Sequence, residues 1–263
     1  MQAVEIDLFP RASSRGEDVG QFDDLLESFL GALSRDGNLC GNEWVVLELA
    51  DRVQVRARAP ADDALEPRFW NLYARRYADK LGALCHRPME LHIVPETVPS
   101  EMCCACDNSS SFILFAGAYE FPFPVRCLDC QRPVPLYRLP HLDGHDEHWT
   151  LDQWNKSYAM LDLVYMGSWW MERRAYELLS NPRASFITYS REVAAKMEGA
   201  TSKPVYVFLL CVYEPQSETC SRCERDWAWP HAPSSLFSFK CDHCRLISQS
   251  PSSEARPLSE LHP

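Results

Sequence analysis

Glu43-Trp-Val-Val-Leu-Glu-Leu-Ala50 and Arg52-Val-Gln-Val-Arg-Ala-Arg-Ala59 read as two strands joined tightly at Asp51. Apolar and polar residues alternate along the second, which is the period of a half-buried strand, while the first is mostly apolar. Upstream, Gln21 to Ser34 carries Phe22, Leu25, Leu26, Phe29, Leu30 and Leu33 at helical spacing, and Ala3 to Phe9 reads as a strand. Downstream, Phe69 to Leu84 reads as a helix with Leu72, Tyr73, Tyr77, Leu81 and Leu84 on its apolar side; Met89 to Pro95 reads as a strand. The order β-α-β-β-α-β is the split βαβ, or ferredoxin-like, pattern. Residues 1–99 are therefore expected to form a ferredoxin-like unit.

Strand side chains alternate between faces. Val4, Ile6, Leu8, Val45, Leu47, Leu49, Val53, Val55, Leu91 and Ile93 are expected to face the helices. The opposite face would set Glu5 and Asp7 beside Arg52, Arg56 and Arg58. An RNA-binding sheet of this topology places stacking aromatics there. Acids beside arginines predict cross-strand ion pairs instead.

Residues 100–247 read as two four-cysteine modules, 100–140 and 215–247, flanking a helical segment (149–200) and a strand (203–213). Thr150 can cap a helix with Gln153 completing a capping box and Trp149 stapling against Trp154; Gly167 stops it. Leu151, Trp154, Tyr158, Leu161 and Tyr165 form its buried stripe. Ser168 is expected to cap a second helix running to Leu179, and Ser190 a short third one ending at Gly199. Val205 to Tyr213 is apolar throughout and reads as a strand buried on both faces. The Ser-, Pro- and Glu-rich tail, 248–263, is expected to be disordered. The fold class is thus α+β, a ferredoxin-like half followed by zinc-ribbon modules with a helical insertion.

The cysteines carry the chemistry. Cys103-Cys104-Ala105-Cys106 and Cys127-Leu-Asp-Cys130 are separated by 20 residues, and Cys220-Ser-Arg-Cys223 and Cys241-Asp-His-Cys244 by 17. Two CxxC knuckles complete a tetrahedron of thiolates around zinc. Expected ligands are Cys103, Cys106, Cys127 and Cys130 for one ion, and Cys220, Cys223, Cys241 and Cys244 for the other. Cys104 competes with Cys103, and two-residue spacing favours Cys103. A redox dithiol, an iron–sulfur cluster, and pairing of knuckles between the two sets remain open. Four thiolates leave no coordination position for water or substrate, so the zinc is expected to be structural. Cys40, Cys85 and Cys211 read as small buried hydrophobes.

The formal net charge of −11 opposes binding to a phosphate backbone. Each zinc–thiolate centre would add a net charge of about −2. Arg222, Arg225, Lys240 and Arg245 near the second set could form a local basic surface, but Glu218, Glu224, Asp226 and Asp242 offset them. The longest apolar run, Val205 to Tyr213, is nine residues, far short of the ~20 a membrane span needs. The first residues lack the basic-then-apolar pattern of a signal peptide, and a cytoplasmic location is expected. His141, His145 and His148 could hold a third metal, but the polar loop carrying them reads as a solvated connection. Trp169 and Trp170 are expected in the core, and Trp227 and Trp229 against the second zinc module. No nucleophile elbow, HExxH, phosphate loop or dinucleotide fingerprint is present.

Cys220-Ser-Arg-Cys223, Trp227 and Phe237-Ser-Phe-Lys-Cys241-Asp-His-Cys244-Arg-Leu-Ile-Ser248 resemble an uncharacterised bacterial family described as zinc-ribbon proteins with a suggested nucleic-acid-binding role. The resemblance implies a bacterial zinc-ribbon protein with Cys220, Cys223, Cys241 and Cys244 as ligands. Knuckles of this kind often carry glycine after the second cysteine; Asp107, Gln131, Glu224 and Arg245 stand there in this chain. The expected function is non-catalytic macromolecular binding or scaffolding, with a protein partner favoured. Nucleic-acid binding is the alternative, and a metal-dependent or thiol-redox enzyme the second.

Overall fold

The computed structural model describes residues 1–11, 19–94, 103–117, 123–143, 147–213, 218–233 and 236–249. The expected disordered tail lies almost wholly outside them. The chain forms two compact units, Met1–Cys103 with Pro135–Trp149, and Cys104–Val134 with Thr150–Pro263. It crosses between them three times rather than once near residue 99, because the segment after the first cysteine set returns to the first unit.

In the first unit, β1 (Gln2–Leu8), α1 (Val19–Arg35), β2 (Val45–Glu48), β3 (Val53–Ala59), α2 (Leu72–Leu84) and β4 (Glu90–Val94) follow the expected order. The sheet order is β2-β3-β1-β4, antiparallel throughout. Each helix thus joins two strands with a third between them, the split βαβ arrangement. Asn71 caps α2 by accepting the Ala74 N–H at 2.8 Å. Val4, Ile6, Leu8, Val53 and Val55 pack against Phe22, Leu26, Phe29, Leu30, Leu33, Ala74 and Leu81. Burying each large side chain contributes about 1.5–3 kcal/mol.

The expected ion pairs form on the other face. Arg56 meets Glu5 at 2.9 Å and Arg52 meets Asp7 at 3.2 Å. Three inward assignments, Val45, Leu47 and Ile93, are not buried as expected. Val46, not Val45, stands opposite Val55, whereas Val45 faces Arg56 and Leu47 faces Gln54. Directly opposed residues share a face, so β2 is shifted by one residue; Val45 is 57% exposed, and Val46, on the helix side of this edge strand, is still 45% exposed. The turn closed by Leu49 N–H to Arg52 C=O sets that register. Ile93 keeps its expected face opposite Val4 but is exposed on the edge strand.

The second unit holds β5 (Phe112–Leu114), β6 (Val125–Cys127), α3 (Trp149–Gly167), α4 (Glu172–Ser180), α5 (Ser185–Thr201), β7 (Val205–Leu209), β8 (Phe239–Cys241) and β9 (Leu246–Ser248). Its sheet runs β6-β5-β7-β9-β8. Two antiparallel hairpins, β5–β6 and β8–β9, each lie parallel to β7 through their inner strand. β7 is buried at all five residues, which explains its unbroken apolar sequence. α3 ends at Gly167 as expected. α5 begins five residues before its expected cap: Ser190 lies inside it, donating to Phe186 C=O and accepting the Trp154 indole N–H, both at 2.8 Å. Trp169 and Trp170 were expected in the core and are each 70% exposed. They fall in the turn between α3 and α4.

Candidate metal centres

Hairpin turns position the thiols. Cys241 ends β8 and Cys244 precedes β9, so this pair occupies the turn of its own hairpin. Cys220 and Cys223 face it from a turn closed by Glu224 N–H to Cys220 C=O at 2.8 Å. Cys223 Sγ lies 3.6 Å from Cys241 Sγ. A tetrahedron with metal–sulfur bonds of ~2.3 Å requires sulfurs ~3.8 Å apart, whereas a disulfide requires ~2.05 Å. All four sulfurs lie within 4.8 Å of one another, as the sequence spacing predicts. Trp227, 1% exposed, packs its ring 5.4 Å from that of Phe239 and closes one side of the module.

The cluster of the first cysteine set comes from the β5–β6 hairpin. Cys127 ends β6, and Gln131 N–H donates to Cys127 C=O at 2.9 Å to close the turn holding Cys130. Asp129, in that turn, accepts the Ser110 N–H at 2.7 Å and bonds its hydroxyl, tying the knuckle to the start of β5. The opposing cysteines are Cys104 and Cys106: these two, with Cys127 and Cys130, lie within 4.8 Å of one another. Cys103 is not in the group, which corrects the reading from two-residue spacing. Cys104 N–H donates to Pro133 C=O at 2.7 Å, anchoring Cys104 beside the segment that leaves the knuckle. Cys106 N–H then points at Cys104 Sγ, 3.4 Å away. Cys103 is buried, and that burial pushes its thiol up. Each set gathers its own two pairs, so the knuckles are not interleaved between sets.

Gln131, Glu224 and Arg245 adopt φ of 56°, 61° and 55°. Each directly follows the second cysteine of a CxxC turn, the position where glycine is usual. The left-handed conformation is therefore required there even though the side chains are large. Asp107, which follows Cys106, does not adopt it. The pair that lacks this turn is the one that uses one-residue spacing.

Crowded thiols split in acidity. The bond from Cys104 pulls the Cys127 thiol down to about 5, while the same bond and burial push Cys104 up. In the other cluster the Arg225 backbone pulls Cys223 down to about 7, and burial pushes Cys241 up to about 11. Each cluster thus holds a readily formed thiolate, the species that binds metal. Cys40, Cys85 and Cys211 stand outside both clusters, and burial pushes Cys40 up to about 12.

Two further groups occur among the described residues. Asp36, His141 and His148 bring their donor atoms within 4.8 Å of one another in the first unit. His145, the third histidine of the expected loop site, lies outside the described residues; among them, Asp36 joins His141 and His148. No sequence motif links Asp36 to a loop more than 100 residues later. Asp7, Glu90 and His92 also converge, but Asp7 is engaged by Arg52 across the sheet.

The fold and these clusters define an α+β protein with two four-cysteine groups able to hold metal ions. Residues 106–210 match a domain of unknown function (DUF2310), and residues 213–252 match a second one (DUF8594). The chain is similar to two uncharacterised proteins of Haemophilus influenzae. One is 24% identical over 241 residues, covering 85% of this chain and 89% of that protein. The other is 29% identical over 145 residues, covering 52% and 69%. Among solved structures, Rv0793 from Mycobacterium tuberculosis aligns with a TM-score of 0.30 at 18% identity, covering 38% of this chain and 97% of that one. An antibiotic biosynthesis monooxygenase aligns with a TM-score of 0.30 at 14% identity, covering 38% and 100%. The chain is thus related to uncharacterised bacterial proteins. Among the described residues, no helix is long and apolar enough to cross a membrane.

Proposed function

We propose that this chain is a zinc-ribbon protein whose two zinc ions are structural and hold a surface for binding a protein partner. The observation that carries the reading is the pairing of two closed four-thiol clusters on hairpins that share one sheet through β7. A short hairpin of three-residue strands has little core of its own, so metal binding supplies folding free energy there. With four thiolates per ion, neither centre offers a position for a substrate.

The partner surface is the exposed apolar side of α3 and the turn beyond it. Met160, Leu163 and Met166 are exposed at helical spacing, followed by Trp169 and Trp170. Exposed Trp and Met are enriched where proteins bind proteins. The basic residues near the second cluster speak less for nucleic acid. Arg245 is paired with Glu198 at 2.9 Å and Lys240 with Asp242 at 2.9 Å.

Native mass spectrometry against the denatured mass tests the metal reading: two zinc ions per chain are expected, and fewer would refute two structural centres. Titration of labelled RNA and single-stranded DNA at low salt tests the rival, and tight salt-sensitive binding would overturn the preference for protein. Trp169→Ala with Trp170→Ala should abolish partner binding without loss of zinc.

A further inference from the structure

We infer that Asp36, His141 and His148 form a third metal site, distinct from the thiol clusters, for a divalent transition-metal ion. Asp36 lies in the turn directly after α1, 2% exposed. His141 and His148 arrive on the Pro135–Trp149 segment, which belongs to the same unit. Contacts near the site that seat the segment include Arg35 with Glu147 at 2.7 Å and Leu136 against Gly37. Neighbouring residues on α1 and on the segment therefore bracket the site.

Asp36 Oδ1 is hydrogen-bonded to His141 Nε2 at 2.8 Å, a bond that metal binding would replace, and lies 3.6 Å from His148 Nε2. A tetrahedral ion with bonds of ~2.0–2.1 Å to nitrogen and oxygen needs donors ~3.3 Å apart, and the two distances bracket that value. The imidazole centroids are 4.4 Å apart, inclined by 48°, so the two rings converge without lying flat on one another.

His148 supplies the independent observation. Its side chain is 0% exposed, and neither ring nitrogen makes a hydrogen bond of ordinary geometry among the described residues, the Leu136 carbonyl bearing only weakly on the ring. An unsatisfied buried polar atom costs about 1–3 kcal/mol, and such groups are rare without a ligand or water. A metal held by His148, His141 and the Asp36 carboxylate would satisfy a His148 ring nitrogen that makes no ordinary hydrogen bond in the protein. Two imidazoles and a carboxylate suit zinc, cobalt or ferrous iron rather than calcium or magnesium. Three protein donors also leave a position for water, unlike the thiol clusters.

The test adds cobalt(II) to full-length protein already carrying zinc on its thiols. A third equivalent should bind with visible d–d bands and no thiolate-to-metal charge transfer. Asp36→Asn preserves shape, and His141→Ala changes a partly exposed residue, so both should keep native circular dichroism. Each should weaken cobalt binding about tenfold or more while leaving two zinc ions in place. Absence of a third equivalent, or one that both variants retain, would overturn the site. Failure of the thiol centres would show separately, as charge-transfer bands when cobalt enters them.

Discussion

Leu136 occupies the space into which a side chain on Gly37 would project: a Cβ there would stand 2.8 Å from Leu136 Cβ and 3.0 Å from its backbone nitrogen. Gly37 also has φ of 79°, where other residues are strained. The absent side chain lets the segment carrying His141 and His148 close over the end of α1. Gly37→Ala should destabilise the protein by about 2–4 kcal/mol, combining left-handed strain with overlap. Gly41→Ala is the control, because Gly41 has φ of 74° but nothing within 4 Å; it should cost only about 1 kcal/mol. Urea unfolding of both variants separates conformation from packing.

Cys104 and Cys103 are adjacent in sequence, but only Cys104 joins the four-thiol group, and on the proposed zinc reading the two should behave differently. Cys104→Ser should release the zinc held with Cys106, Cys127 and Cys130, leaving one ion per chain by native mass spectrometry. Cys103→Ser should retain two. If Cys103→Ser were the variant that loses zinc, the ligand set would revert to the one that two-residue spacing suggests.

Much of this was legible in the sequence. The βαββαβ order followed from periodicity, and Val4, Ile6, Val53 and Val55 lie where alternation puts them. β2 was not fully legible: adjacent Val45 and Val46 give no parity, and only the Leu49–Arg52 turn fixes which one faces inward. The second cluster was readable because its two CxxC turns have identical spacing. The first was ambiguous because Cys103 and Cys104 are alternatives that only a tertiary bond, Cys104 to Pro133, resolves. Asp36 could not be found at all, since a carboxylate at a helix end has no local signal of ligation. Trp169 and Trp170 show the reverse error: a large apolar residue is not proof of a core.

Glu224 is exposed and holds φ of 61° directly after Cys223. Glu224→Gly should relieve that strain and raise stability by about 0.5–1 kcal/mol. Asp107→Gly should give no such gain, because Asp107 does not adopt positive φ. Thermal melts of the zinc-loaded variants check the contrast. Equal effects at both positions would mean that the left-handed turn is not what distinguishes the CxxC knuckles.

His148 makes stability depend on pH in a definite direction. Burial, then the neighbouring His141, push its imidazole from 6.5 down to about 3, with the Leu136 carbonyl acting the other way. The unfolded chain therefore binds a proton near pH 6.5 that the folded chain refuses until about pH 3. Stability from this group is fully present above pH 6.5 and is lost as pH falls through that window. With zinc on the thiols and the third site empty, the loss between pH 7 and pH 5 should be about 2 kcal/mol. The thiols and other carboxylates also titrate, so the measurement is the difference between wild type and His148→Gln in urea at each pH. Because glutamine does not titrate, that difference isolates His148, and it should shift against the wild type as the solution is acidified. Cobalt at the Asp36 site should deepen the wild type's acid sensitivity, since a bound imidazole must lose its metal before it gains a proton. A difference that stays flat from pH 7 to pH 5 would mean that protons reach the ring in the folded state, and that its burial is not what holds it neutral.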